Sequence, residues 1–94
     1  MTKGINNKVP LSLQIIIWSQ IDKIVASKIS VDYLQVFTFE KRENKLVLIH
    51  HQEEPIYRNE IQFEMKDEFQ NLVNTKIYVI DDLTHCTMLF ASEY

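Results

Sequence analysis

The densest group of residues able to do chemistry is a run of five: His50, His51, Gln52, Glu53 and Glu54. Imidazole and carboxylate groups are common zinc ligands. On a strand, however, adjacent side chains point to opposite faces, so the two histidines would not easily bind one ion. A metal site would need one of them together with residues of a later hairpin, namely Asp81, Asp82, His85 or Cys86. That spacing matches no recognised zinc pattern, and we predict neither a metal site nor a cofactor.

Two other groups have the residue types of a catalytic centre. Cys86 beside His85, or near His51, could form a thiol–imidazole pair. A lone cysteine on a strand is more often a small buried apolar residue. The adjacent carboxylates of Asp81 and Asp82 could serve acid–base chemistry or bind Mg²⁺, but at a strand end such residues usually accept backbone hydrogen bonds in a turn. We therefore predict no catalytic residues, and a metal-dependent enzyme is the third-ranked function.

Aromatic residues on one strand face indicate a second alternative. Tyr33 and Phe37 share a face with Phe39, and such a face can stack on unpaired bases. Arg42 and Lys45 follow in the next turn, where cations would meet phosphates. Acidic neighbours offset these charges, and packing against a helix is the favoured explanation for the aromatic rings. A single-stranded nucleic-acid-associated protein using Tyr33, Phe37, Arg42 and Lys45 is thus the alternative function.

The near absence of glycine excludes several enzyme classes. Gly4 is the only glycine in 94 residues. Phosphate-binding loops, dinucleotide fingerprints and the nucleophile elbow of hydrolases all need glycine, because the backbone there adopts positive φ or approaches a ligand closely. None of them can be built from this sequence.

Charge is distributed unevenly along the chain. The net charge of −3 combines about +3 over residues 1–50 with −6 over residues 51–94. An acidic half disfavours DNA as a partner and favours the basic surface of another protein. The first-ranked function is therefore a non-enzymatic protein–protein interaction module with an unidentified protein partner. The predicted contact residues are Glu53, Glu54, Tyr57, Asp81 and Asp82.

Length and composition indicate one small domain over residues 1–94. Hydrophobic residues make up 46% and charged residues 24%, as in ordinary globular proteins. No apolar run approaches the roughly 20 residues needed to span a bilayer, and no long apolar stretch directly follows the N-terminal residues as in a secretory signal. One cysteine cannot form an internal disulfide, which fits the reduced cytoplasm.

The hydrophobic pattern predicts an α+β fold in which one N-terminal helix packs on a mainly antiparallel sheet of about five strands. Residues 1–8 are expected to be flexible or an edge strand, and residues 66–75 a loop or short helical turn. The polar segment 41–44 lacks glycine and favours a four-residue loop. The predicted elements are a helix over 10–28 and strands over 31–40, 45–51, 56–65, 76–80 and 84–91.

The helix begins at Pro10, whose fixed φ suits a first helical position. Its buried stripe is predicted to contain Leu13, Ile17, Trp18, Ile21, Ile24 and Val25. Gln14 and Gln20 are assigned to the other surfaces.

Strands 31–40, 45–51 and 84–91 are apolar at both odd and even positions. One helix covers only one face of a sheet, so the second apolar face must curl on itself, be covered by residues 66–75, or meet another chain. A homodimer or a partner-binding face follows from the last option.

Several segments, taken in order, resemble a staphylococcal family of unknown function, the domain-of-unknown-function family numbered nine-sixty. Residues 10–14 read PLSLQ, residues 32–37 read DYLQVF, residues 51–57 begin HQE and contain Pro55 and Tyr57, residues 79–82 read VIDD, residues 87–89 read TML, and the sequence closes with Glu93 and Tyr94. The resemblance covers nearly the whole sequence.

The resemblance implies a cellular context and no chemistry. Members are short proteins of Gram-positive bacteria, including copies on mobile elements, and the family has no established activity. It therefore assigns no catalytic residue. It implies a cytoplasmic accessory protein, and small acidic proteins of mobile elements often bind a host protein.

Overall fold

Residues 3–81 and 86–94 are described by a computed structural model and form two α-helices, five strands and two short 3₁₀ helices. In chain order the elements are α1 (Lys3–Lys8), α2 (Leu11–Ala26), β1 (Leu34–Arg42), β2 (Lys45–Gln52), β3 (Tyr57–Glu64), a 3₁₀ helix (Asp67–Leu72), β4 (Lys76–Asp81), β5 (Cys86–Phe90) and a 3₁₀ turn (Ala91–Glu93). The predicted α+β class is confirmed.

The five strands form one antiparallel sheet in the order β3-β2-β1-β4-β5. Because Leu34 at the start of β1 pairs with Ile80 near the end of β4, these two ends lie together. The end of β2 lies beside them on the other side of β1, where Val36 pairs with His51. The β2–β3 turn and the end of β4 therefore lie at the same end of the sheet.

Helix α2 is close to its predicted limits. Pro10 occupies the N-cap position, one residue before the helix, with φ −55° and ψ 145°. At the other end, Lys28 adopts φ 60°. Its N–H donates to Val25 O and the N–H of Ile29 donates to Ile24 O, the paired bonds of a Schellman motif. No helix in the described ranges is long and apolar enough to cross a membrane.

The buried face of α2 differs from the predicted stripe. Leu13, Ile17 and Ile24 are buried as predicted, but Val25 is 60% exposed. Gln14 and Gln20, assigned to outer surfaces, are buried instead. Ten of the sixteen α2 residues are apolar and they occur all round the helix, so periodicity alone does not select the buried side.

Residues 3–8 form a helix rather than a flexible segment or an edge strand. Ile5 and Val9, four positions apart, are both buried in the core. That spacing places them on one side of a helical turn. The short helix α1 covers the core beside β5, which explains why a strand is not formed there.

One face of the sheet, the inner face, carries the hydrophobic core. Both helices and the 3₁₀ helix Asp67–Leu72 pack on it, the latter through Phe69 and Leu72. The segment 66–75 thus takes the helical-turn form and covers the inner face, not the second one. The buried core residues are Ile5, Val9, Leu13, Ile17, Phe37, Phe39, Leu46, Leu48, Phe69, Leu72, Ile77, Val79, Met88 and Phe90.

The outer face of the sheet is shielded by charged side chains. Val47 is fully buried there, although no helix in the described residues covers it. Arg42 on β1 reaches across β2 to Glu60 on β3, with Nη1 2.8 Å from Oε1. Val47 lies between the β2 positions paired with these two residues. The aliphatic stems of such long side chains cover apolar neighbours while their charged ends stay in water.

Strand boundaries depart from the sequence prediction at several points, and β1 begins at Leu34 instead of residue 31. Arg42 pairs with Lys45, so the β1–β2 turn has two residues, Glu43 and Asn44, instead of four. Glu43 has φ 57°, a conformation more often taken by glycine. Strand β5 begins in the described residues at Cys86 and ends at Phe90, because Ala91 starts a 3₁₀ turn.

We expect Leu72→Ala to reduce the free energy of unfolding by about 2–5 kcal/mol, because it leaves a cavity under the 3₁₀ helix. Leu72 is fully buried in the core. Asn71→Ala is the matched control: Asn71 is the exposed neighbour, and its change should cost within about 0.5 kcal/mol. Denaturant unfolding of both variants measures the difference. Equal stabilities would show that the segment does not pack as described.

Candidate functional site

His50 lies on the inner face, under α2, and is 1% exposed. Its ring stacks on Phe37, with centroids 4.3 Å apart and an interplanar angle of 11°. The edge of Tyr57 meets it at 5.5 Å. His50 Nε2 lies 2.7 Å from Gln35 Oε1, while Nδ1 is buried with no hydrogen-bond partner. Burial lowers the pKa of His50 from 6.5 to about 4, and the nearby His51 contributes to the same shift.

The proton of His50 can be placed by following hydrogen bonds outward from the backbone. Gln52 Nε2 donates to Ser30 O and Pro55 O, so its Oε1 must be the group that accepts from Asp32 N. The same oxygen accepts from Gln35 Nε2 at 2.7 Å. Gln35 therefore presents its own Oε1 to the imidazole, and His50 must donate from Nε2.

This network joins the segment entering β1 to the β2–β3 turn. The side chain of Gln52 holds the segment entering β1, through Ser30 and Asp32, and the β2–β3 turn, through Pro55. Gln52 is itself 2% exposed. Asp32 adds a contact to the same turn, since its Oδ2 accepts from Glu54 N at 3.1 Å.

Four acidic residues converge at the end of the sheet where β1 begins. Glu53 and Glu54 are exposed in the β2–β3 turn, and Asp32 bonds to that turn. On the other side of β1, Asp81 N donates to Tyr33 O at 2.9 Å, which places the end of β4 beside the same segment. We call Asp32, Glu53, Glu54 and Asp81 the acidic end.

An apolar pocket of about 190 Å³ opens at the acidic end, between α2 and the sheet; we call it the anchor pocket. Three of its wall residues are large hydrophobics exposed to solvent: Val25 at 60%, Val31 at 39% and Tyr33 at 64%. Among the described residues, the full lining is Ile21, Val25, Val31, Asp32, Tyr33, Gln35, Val79, Asp81 and Cys86. None of these residues is basic.

Three of the five predicted contact residues lie exposed at the acidic end: Glu53, Glu54 and Asp81. Tyr57 is half-buried instead, because its inner-face position in β3 packs it against His50. Asp82 lies outside the described residues. The alternation of β3, with inner residues half-buried and outer residues exposed, follows the predicted pattern.

The described residues considered for metal or nucleophilic chemistry do not form one site, although two of them, Asp81 and Cys86, are neighbours across the β4–β5 ladder. His50 points into the core, whereas His51 lies on the outer face opposite Arg58. Cys86 is exposed and free, in contrast to the buried role expected of it. It pairs with Asp81 across the β4–β5 ladder, so its side chain lies at a sheet end and not in the core. In residues 3–81 and 86–94 no three His, Cys, Asp or Glu residues are arranged to hold a metal ion, and His85 is outside those ranges.

The four residues of the nucleic-acid alternative do not form one surface. Phe37 is fully buried and stacked on His50, so it offers no face to a base. Tyr33 is exposed at the acidic end. Arg42 and Lys45 lie at the opposite end of the sheet, paired with Glu40, Glu60 and Glu64. The hydrogen bonds that Arg42 donates to Glu60 and Glu40 raise the pKa of Arg42, with Glu60 the larger contributor.

Sequence reasoning missed the polar groups that hold the site together. Gln35, Gln52 and His50 are buried, and Gln20 accepts from Asn59 at 3.1 Å beneath α2. One signal was available: Gln35 has the same parity as Phe37 and Phe39, which places an amide on the buried face of β1. The pairing of Gln35 with Gln52, seventeen positions away, needs the strand register.

We expect the stability of the protein to fall between about pH 7 and pH 4, in part because of His50. The pKa of His50 is about 4 when folded against 6.5 for an ordinary histidine, so the unfolded chain takes up a proton in this range that the folded chain does not. At 1.36 kcal/mol per pKa unit, the effect amounts to roughly 3 kcal/mol. Denaturant unfolding at several pH values measures it.

The controls for this experiment are His50→Phe and His51→Gln. His50→Phe should lose this part of the pH dependence, whereas His51→Gln, on the outer face, should keep most of it, because burial is the larger cause of the lowered pKa of His50. Carboxyl groups that titrate in the same range contribute equally to all three proteins. If the free energy of unfolding depended on pH in the same way in the wild type and in His50→Phe, His50 would not be a neutral, buried residue in the folded protein.

We expect Gln52→Ala to destabilise the protein by about 1–3 kcal/mol, because backbone groups of Ser30, Asp32 and Pro55 lose their partner. The amide of Asp32 should also exchange its hydrogen faster. The matched control is Gln62→Ala on the exposed outer face of β3, which should change stability by less than about 0.5 kcal/mol. Unchanged exchange at Asp32 in the Gln52 variant would show that this side chain does not fix the acidic end.

Comparison with known proteins gives a family and a fold. The crystal structure of a protein of unknown function from Enterococcus faecalis is similar, with a TM-score of 0.79 and 22% identity over 99% of this chain and 86% of that one. At this identity the likeness supports the fold alone. No curated protein matches the sequence significantly. A family model described as "Staphylococcal protein of unknown function (DUF960)" matches residues 1–93, which confirms the resemblance found in the sequence. Because that match spans almost the entire chain, the protein belongs to this staphylococcal family of unknown function.

Proposed function

We propose that the protein is a non-enzymatic protein–protein interaction module that contacts its partner through the acidic end. One observation carries the proposal: the β2–β3 turn, the end of β4 and the entry to β1 bring Asp32, Glu53, Glu54 and Asp81 to one end of the sheet, around exposed apolar side chains. A polar, charged rim around an apolar centre is the usual layout of a protein interface.

The charges at this end differ from those of the outer face. On the outer face, Glu40, Glu60 and Glu64 are each bonded to an Arg or Lys side chain. Within the described part of the chain, Asp32, Glu53 and Glu54 take part in no ion pair. A basic partner surface would therefore complement charges that have no intramolecular counterion, and complementary charges of this kind accelerate and direct association.

The proposed partner is a protein of the host cytoplasm. An exposed single thiol such as Cys86 suits a reducing compartment. The context implied by the family resemblance, an accessory role for a mobile element, agrees with a protein that acts by binding another protein.

We expect a tagged wild-type protein to retain a specific protein from host lysate, with or without nuclease, and Glu53→Lys/Glu54→Lys to lose most of that capture. The matched control is Glu43→Lys/Glu68→Lys, which makes the same charge change at exposed positions outside the acidic end. Capture by the wild type should also weaken as salt rises from about 50 mM to 500 mM, because exposed charges are screened.

Three results would contradict the proposal. Capture that disappears with nuclease would indicate nucleic acid as the link. If both double variants lost capture equally, capture would depend on the net charge of the protein and not on the acidic end. Capture unaffected by Glu53→Lys/Glu54→Lys and by salt would place the interface elsewhere.

A further inference from the structure

We propose that the anchor pocket receives one bulky apolar side chain of the partner, and that this residue is flanked in the partner by arginine or lysine. The inference rests on the proposed function and names the chemistry that the partner must present. It depends on the size of the pocket, its lining and the sign of the charges at its rim.

The size of the pocket suits a single large side chain. A cavity of about 150 Å³ can hold a benzene ring, and the anchor pocket measures about 190 Å³. Val25, Val31 and Tyr33 leave apolar surface in water at this point, and covering it on association is favourable. Anchors of binding energy are usually side chains that fill such a pocket within a polar rim.

The inside of the pocket offers little to a polar small molecule. Among the described residues that line the pocket, Gln35 is the only one with a side-chain amide. Both ends of that amide are already used: Nε2 donates to Gln52 and to Asp32 O, and Oε1 accepts from His50. A ligand that entered with its own donors and acceptors would lose hydrogen bonds to water without replacing them. An apolar side chain loses none.

The rim determines what should flank that side chain. Asp32 and Asp81 are the only charged residues among those that line the pocket in the described structure, and both are acidic. Glu53 and Glu54 extend the negative charge beyond Asp32, in the turn that bonds to it. A partner segment with a cation on either side of the apolar anchor matches this arrangement, whereas an acidic segment would be repelled.

Short capped peptides test this chemistry directly. The probe is an N-acetylated, C-amidated Arg-Phe-Arg tripeptide, compared with Arg-Ser-Arg and Glu-Phe-Glu in the same form. Cys86 is a native reporter, since it is exposed, lines the pocket and is the only cysteine in the sequence. Uncharged iodoacetamide should alkylate it more slowly when the pocket is filled. Chemical shifts of the Tyr33 and Val79 amides report the same event.

We expect Arg-Phe-Arg to protect Cys86 in the millimolar range, and both other peptides to bind at least about tenfold more weakly, one for lack of the apolar anchor and the other for the wrong charge. Val25→Lys should weaken binding of Arg-Phe-Arg by a similar factor. Ile15→Lys is the matched control, because Ile15 is 59% exposed on the same helix but does not line the pocket, and lysine is a good helix former at both positions.

Each alternative result would overturn the inference. If Arg-Ser-Arg protected Cys86 as well as Arg-Phe-Arg does, the rim charges would bind peptides without the pocket. If Glu-Phe-Glu protected Cys86 equally well, the rim charges would not contribute to binding. Equal effects of Val25→Lys and Ile15→Lys, or no protection by Arg-Phe-Arg, would exclude the pocket as the anchor site. The proposed function would survive any of these results as long as capture from lysate still depended on Glu53 and Glu54.

Discussion

The side chain of Gln52 is the contact on which the candidate site depends. It is buried at the end of β2 and bonds to Ser30, Asp32, Gln35 and Pro55, so one amide fixes both the segment entering β1 and the β2–β3 turn. Both segments carry negative charges, which repel each other. A buried amide with all its hydrogen bonds made holds them together at a modest net gain, while breaking it leaves several backbone groups unsatisfied. The convergence of acidic residues is thus maintained by neutral groups underneath them.

The local sequence pattern predicted the helix α2 and the strands well, but it did not predict which side of α2 is buried. The alternation of β3 is visible in the sequence because one side of the strand meets water. Helix α2 has apolar residues on all sides, so the exposed Val25 and the buried Gln20 could not be recognised before the sheet and α1 were in place. The β1–β2 turn was predicted too long because a tight turn was expected to need glycine at the position that adopts positive φ. Lys28, Glu43 and Asn74 all adopt that conformation here, at a cost of roughly 1 kcal/mol each that tertiary packing offsets.

The sequence pattern also did not show which residues of the candidate site lie close together in the fold. Glu53, Glu54 and Asp81 were predicted as contact residues from the acidic charge of the second half of the sequence. Their meeting at one end follows from the strand order β3-β2-β1-β4-β5, which sequence periodicity does not contain. Asp32 joins them through long-range bonds to Gln52 and Glu54. Phe37 is the opposite case: stacking on a base was only an alternative for it, and its inner-face position in the central strand confirms the favoured explanation, packing inside the core.

The second apolar face of the sheet was expected to meet another chain if nothing else covered it, but charged side chains cover part of it in the structure. Val47 and Ile49 on this face are 0% and 6% exposed, since charged side chains bonded across the strands lie over them. A partner docking there would have to displace ion pairs in which hydrogen bonds from Arg58 and Arg42 already lower the pKa of Glu60. At the acidic end, by contrast, Tyr33 and Val25 are largely exposed, and neither Glu53 nor Glu54 has a basic partner among the described residues. These differences support the proposed interface at the end of the sheet rather than on its face, because association there would bury exposed apolar side chains and give Glu53 and Glu54 basic partners.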